Sequence, residues 1–162
     1  MHPMTQIAFF SRRCWLRSAA GAAVLLAAGV ARAQFAMVPA PLTQGAPRAS
    51  ETEIEPEYRI DAARHVYAAF PMRVFRGRLP DQMYAVTSVE TELDASGEVL
   101  NVSVVRNPAA EEVAPWVVAM IRRASPFPAP ARLPGGTVRF IETWFVDKGG
   151  RFQLFTLSEG QK

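Results

Sequence analysis

Val89-Glu90-Thr91-Glu92-Leu93-Asp94-Ala95-Ser96-Gly97-Glu98-Val99-Leu100-Asn101-Val102-Ser103-Val104-Val105-Arg106 is the stretch on which the reading of this chain turns. The alternation that runs through it begins near Met83. Ala85, Thr87, Val89, Thr91 and Leu93 fall on one parity, with Ser88, Glu90 and Glu92 on the other. Successive side chains of a strand point to opposite faces, so one parity makes one face. Asp94 to Gly97 supplies turn residues, after which Leu100, Val102 and Val104 alternate against Asn101 and Ser103. Two β-branched runs around an Asp…Gly turn predict an antiparallel hairpin with one buried face.

The flanks predict two helices and a second hairpin. Before the hairpin, Ile60, Ala63, Val66, Tyr67 and Phe70 recur at helical spacing, which predicts a helix from Arg59 to Phe70. Asp61 places negative charge in its first turn, and Pro71 ends it. After the hairpin, Asn107-Pro108 stops the strand. Val113, Trp116, Val117, Met120 and Ile121 then make an apolar stripe in a helix from Glu111 to Ala124. Glu111 and Glu112 lie in its first turn and Arg122 and Arg123 in its last, as the helix dipole favours. Pro126, Pro128 and Pro130 make 125–136 an extended connector. Val138, Phe140, Trp144 and Val146 then alternate with Arg139, Ile141, Thr143 and Phe145. A turn at Asp147-Lys148-Gly149-Gly150 returns the chain through Phe152, Leu154 and Thr156. The predicted class is α+β in the order α-β-β-α-β-β, with two helices packed on one face of a small antiparallel sheet.

This arrangement resembles the C-terminal domain of TonB proteins over residues 58–157. The carriers of the resemblance are the apolar-alternating strand, the D-x-x-G turn and the V-x-x-V-x-V return of 89–106. To these are added Ile121-Arg122-Arg123 before Phe127-Pro128-Ala129-Pro130, and Pro134-Gly135-Gly136 before the next strand. The resemblance implies a TonB C-terminal-like fold. It also implies recognition of an extended partner segment by strand addition to the sheet, as TonB proteins recognise outer-membrane transporters when they couple inner-membrane energy to them. The chain departs from that family in two respects. A TonB transducer has an uncleaved N-terminal anchor and a long Pro-rich spacer. The Gln-Pro-x-Tyr-Pro stretch of typical transducers has only Glu55-Pro56-Glu57-Tyr58-Arg59 as its counterpart.

Further outward, 34–57 reads as a flexible linker, with Pro39, Pro41, Pro47 and Pro56 and the acidic run Glu51-Thr52-Glu53-Ile54-Glu55. Residues 158–162 read as a polar tail. The first 33 residues read as an export signal. Ser11-Arg12-Arg13-Cys14-Trp15-Leu16-Arg17 resembles the bacterial twin-arginine motif, with Arg12, Arg13, Trp15, Leu16 and Arg17 in its informative positions. The Ala- and Gly-rich run 18–30 is 13 residues long, shorter than the roughly 20 a spanning helix needs. Ala31-Arg32-Ala33 reads as the cleavage site, with Ala31 and Ala33 as its small residues. The expected address is therefore the periplasm.

Removal of that signal changes the electrostatic reading. Four of the 18 Lys and Arg lie in it (Arg12, Arg13, Arg17, Arg32), leaving 14 against all 15 Asp and Glu, a net charge of about −1. The basic character of the whole chain thus belongs to the signal and points to no nucleic acid. Cys14 and His2 lie there too, so the remainder has no thiol and one histidine, His65. No set of His, Cys, Asp and Glu at metal-ligand spacing stands out, and no cofactor is expected. The acidic run Glu51/Glu53/Glu55/Glu57 lacks the glycine-bearing loop of a calcium site. Glu90 and Glu92 lie on the polar face of the hairpin.

Three functions fit these observations. The first is an exported, non-catalytic interaction module that binds an extended peptide or periplasmic or outer-membrane protein segment along a sheet edge. Its candidate surface is the second hairpin, with Phe140, Trp144, Phe145, Phe152 and Phe155. Edge pairing also makes a homodimer feasible. The second is a membrane-anchored TonB-type energy transducer that retains 18–30. The third is a hydrolase using His65 with Asp61, one helical turn apart, although no G-x-S-x-G or S-x-x-K motif supplies a nucleophile.

Overall fold

The alternation of 85–93 becomes strand β1 (Ala85–Leu93), in which every second residue is buried. A computed structural model of the chain describes residues 34–42 and 47–160. The signal motif and the cleavage residues Ala31 and Ala33 lie outside these. The fold is mixed α+β. Helix α1 (Glu55–Ala69) is followed by β1, β2 (Val99–Arg106), helix α2 (Val113–Arg123), β3 (Val138–Val146) and β4 (Phe152–Leu154). The four strands form one antiparallel sheet in the order β2-β1-β3-β4.

β1 pairs with β3 from Ala85↔Val146 to Leu93↔Val138 without a break. Its pairing with β2 is interrupted twice. Glu92 faces Asn101 while Leu93 faces Val99, which leaves Leu100 over; Val89 faces Val104 while Ser88 faces Arg106, which leaves Val105 over. A bulge residue drops out of the two-residue alternation. Leu100 and Val105 are therefore 53% and 57% exposed, whereas the sequence pattern put Leu100 on the buried side.

Both helices contribute to a single core with the inward parity of β1 and β3. The stripe expected on α2 is buried in full: Val113, Trp116, Val117, Met120 and Ile121. α1 supplies Tyr58, Ala62, Ala63, Val66 and Ala69. It starts at Glu55, four residues before the predicted Arg59, with Pro56 in its first turn. Proline is tolerated there because the first amides of a helix have no intrahelical acceptor. Glu55 and Glu57 add the negative charge that this end favours.

The described part of 34–57 is a strap against the domain rather than a free linker. Phe35 is buried, stacked on Tyr84 at 5.8 Å and edge-on to Trp116 at 5.3 Å. The Arg123 guanidinium donates to the carbonyls of Val38 and Pro39, and the Leu42 N–H donates to the Ala69 carbonyl at 2.9 Å. Ser50 is buried; its hydroxyl donates to Asp61 at 2.8 Å and its N–H to the Ala129 carbonyl at 3.0 Å. One aromatic anchor and a few polar ties suffice to order a proline-rich segment whose composition alone reads as mobile. Phe35→Ala should therefore lower the unfolding free energy by about 3 kcal/mol, measured by urea titration.

The β1–β2 turn is fixed by two residues. The Asp94 carboxylate accepts from the Ser96 N–H at 2.8 Å, the Ser96 hydroxyl at 2.6 Å and the Glu98 N–H at 2.9 Å. Gly97 has φ +88° and lies against the connector after α2, where the Phe127 N–H donates to its carbonyl at 2.8 Å. A Cβ at Gly97 would stand 2.0 Å from the Phe127 carbonyl oxygen. Gly97→Ala combines left-handed strain with that overlap and should cost roughly 2–4 kcal/mol in the same titration.

Candidate sheet-edge site

β3 offers nine residues to β1 but only Trp144, Phe145 and Val146 to β4. The chain leaves the sheet at Phe155, which opens a 3₁₀ turn (Phe155–Leu157) instead of extending β4. Val138 to Thr143 consequently has no strand on its outer side among the described residues. The far side of β4 differs. There Val74 bridges Phe152, the Phe75 N–H donates to the Phe152 carbonyl at 2.7 Å, and the Gln153 amide donates to the carbonyls of Phe75 and Gly77 at 3.2 and 2.9 Å.

Side chains stand in for the missing strand beside β3. Arg59 of α1 donates to the Ile141 carbonyl at 3.4 Å, and the Thr143 N–H donates to the Glu142 carboxylate at 2.9 Å. Main-chain groups of alternate residues point to the same side of an antiparallel strand, so Arg139, Ile141 and Thr143 present theirs outward. The same Glu142 oxygen accepts the Thr156 N–H at 3.3 Å, which ties the 3₁₀ turn to the point where strand pairing stops.

Glu142 is 6% exposed, and its second carboxylate oxygen has no partner; neither has the buried Nε of Arg59. Burial pushes its carboxyl above the ordinary glutamate value, outweighing the hydrogen bonds from Thr156 and Thr143 and the Arg59 charge, which act the other way. The sequence reading missed this residue. Its signal was a glutamate on the inward parity of an otherwise apolar strand, between Phe140 and Trp144.

The structure divides the five residues expected to form a partner surface. Phe140, Trp144 and Phe152 belong to the core; Trp144 and Phe152 lie 4.7 Å apart and Phe140 packs edge-on to Tyr58 at 6.0 Å. Phe140 and Trp144 share the inward parity of β3, and β4 is buried along its whole length, so none of the three is free to meet a partner. Phe145 is half-buried and Phe155 is 63% exposed, with their rings 6.5 Å apart, and Ile141 joins them on the outer face at 44%.

His65 and Asp61 are occupied separately rather than as a pair. His65 Nε2 meets the Ala124 carbonyl at 2.7 Å and its ring lies 5.0 Å from Phe127. Asp61 accepts from Ser50 and faces Arg64 at 3.7 Å. Glu90 and Glu92 both face Arg139, at 3.8 and 3.2 Å. Among the described residues no group of three His, Cys, Asp or Glu could hold a metal ion, and no helix is long and apolar enough to cross a membrane. Comparison of the chain with models of known families, with curated proteins and with solved structures gives no match.

The raised pKa of Glu142 has a definite sign in stability. The folded state holds this proton more tightly than the unfolded state, so stability should fall as pH rises from 4.5 through the folded value. Glu142→Gln keeps an acceptor for both amides and should flatten that fall. Urea titrations of the two proteins from about pH 4 to pH 8, taken as a difference, check it.

Proposed function

We propose that this chain is an exported periplasmic interaction module that binds an extended segment of another protein by adding it as a strand to the outer edge of β3. The observation that carries this reading is the six-residue stretch Val138–Thr143, unpaired on its outer side among the described residues. At about 3.3 Å per residue it is a rail of roughly 20 Å. The Ile141 carbonyl and the Thr143 N–H are held by side chains, which a partner strand can replace with main-chain hydrogen bonds. Ile141, Phe145 and Phe155 supply apolar contact beside the rail, and alternate side chains of the added strand would read them.

Strand addition draws its affinity from the backbone and needs no catalytic group, which suits a chain whose histidine and acidic pairs are engaged in structural contacts. The twin-arginine-like signal supports the periplasmic address, and the TonB C-terminal-like motifs support this mode of recognition. A photoreactive residue at Ile141 should cross-link in cells to a periplasmic or outer-membrane protein, at a segment that mass spectrometry can map. That segment, as a synthetic peptide, should protect the amides of Arg139, Ile141 and Thr143 from hydrogen exchange while leaving those of Phe140 and Glu142 unchanged. Ile141→Lys should weaken its binding about tenfold. Uniform or absent protection would overturn the reading.

A further inference from the structure

We infer that β2 and α2 together form a self-complementary face through which two copies of this chain associate. β2 is the other outermost strand, with no strand on its outer side among the described residues. Between it and α2 runs a groove of about 800 Å³, with Val104 on the strand side and the loop residues Asn107, Pro108 and Ala109 walling the Glu111 end. On the helix side it is lined by Glu111, Ala114, Pro115, Val118, Ala119 and Arg122. The spacing is i, i+3, i+4, i+7, i+8, i+11, which is one continuous helical stripe beginning in the turn before α2. It lies beside the buried stripe, with Ala114 already buried at the floor of the groove, and spans about 16 Å from Glu111 to Arg122.

The stripe reads the same in charge-matched form from either end. About a midpoint between Trp116 and Val117, Ala114 mirrors Ala119, Pro115 mirrors Val118, and Glu111 mirrors Arg122. A two-fold axis at that midpoint sets two such helices antiparallel. It places Glu111 of each copy against Arg122 of the other, with small side chains between, so the axes can approach to about 8–10 Å. Neither Glu111 nor Arg122 has an ion-pair partner among the described residues.

The strand beneath can follow the same axis: antiparallel pairing of two β2 strands would bring the exposed bulge residues Leu100 and Val105 of both copies to one seam. The sheet then continues through eight strands, and the edge groups of β2 are paired. The helix dipole accounts for an acid and a base at the two ends of α2, but not for the mirrored small residues between them. An extended peptide would fill the β2 edge, yet it gives no reason for size and charge to mirror about one point. A second copy accounts for both.

Sedimentation equilibrium of the protein as purified from the cell tests this. The expected species is a dimer. Glu111→Arg and Arg122→Glu each set like charges across the axis twice and should raise the dimer dissociation constant tenfold or more. The two substitutions together should restore dimerisation. Both side chains are exposed, and circular dichroism verifies that each variant stays folded. A wild-type monomer at all concentrations overturns the inference. So does a dimer indifferent to the single reversals, or a double variant that does not recover, whether the groove is then filled by a peptide or by another part of this chain.

Discussion

The structure hangs on β1 being paired along both sides. Val89 and Leu93 are fully buried, and nine consecutive partners on β3 fix the register of the sheet without a bulge. A one-residue slip would turn Val89, Thr91 and Leu93 outward and bring Glu90 and Glu92 into the core, so the alternation of this strand admits one register only. Everything else is placed relative to it. The irregularities are confined to β2 on one side and to the short β4 at the other.

Glu142 shows what this strictness costs. β3 must present Val138, Phe140, Trp144 and Val146 inward to match β1, and the residue between Phe140 and Trp144 is forced inward with them. A carboxylate there loses hydration and recovers only part of it through two amides, which is why its proton is held more tightly than in water. What it provides in return is local. It satisfies the Thr143 amide where β4 has already ended, and it holds the turn that ends it.

Much of this was legible because it is local. The β1 alternation, the Asp94…Gly97 turn and the stripe of α2 are decided by neighbours within a few residues, and the mixed α+β class follows from their order. Other features depend on contacts far apart in the chain. Phe35 sits in a proline-containing stretch without strand or helix periodicity and becomes an anchor only because Tyr84 and Trp116 meet it there. The early start of α1 rests on Pro56 standing in a first turn rather than in a linker. Phe152 continues an alternating pattern on paper, but three residues of pairing bury it before the chain turns away. The candidate site was legible as a region, the second hairpin, and misread in its detail, because Phe140 and Trp144 share the inward parity of β3 and β4 is buried along its whole length.

The two edges of this sheet differ in what a partner must displace. At β3, Arg59 and the Glu142 carboxylate already occupy the outward carbonyl and amide, so an added strand exchanges hydrogen bonds rather than creating them. Each exchange returns only a fraction of the roughly 0.5–1.5 kcal/mol that a new bond contributes. Under the proposed reading, binding there would be correspondingly reversible and would rest on the apolar contacts of Ile141, Phe145 and Phe155. At β2 the groove beside α2 is open and Glu111 and Arg122 have no ion-pair partner among the described residues, while the Ser125 hydroxyl holds the Val99 N–H at 3.2 Å at one end of the strand. Such a face suits a standing association. Pairing through β2 would place the two β3 edges toward opposite ends of one sheet, so a dimer built this way carries two separate rails, each free to capture its own segment.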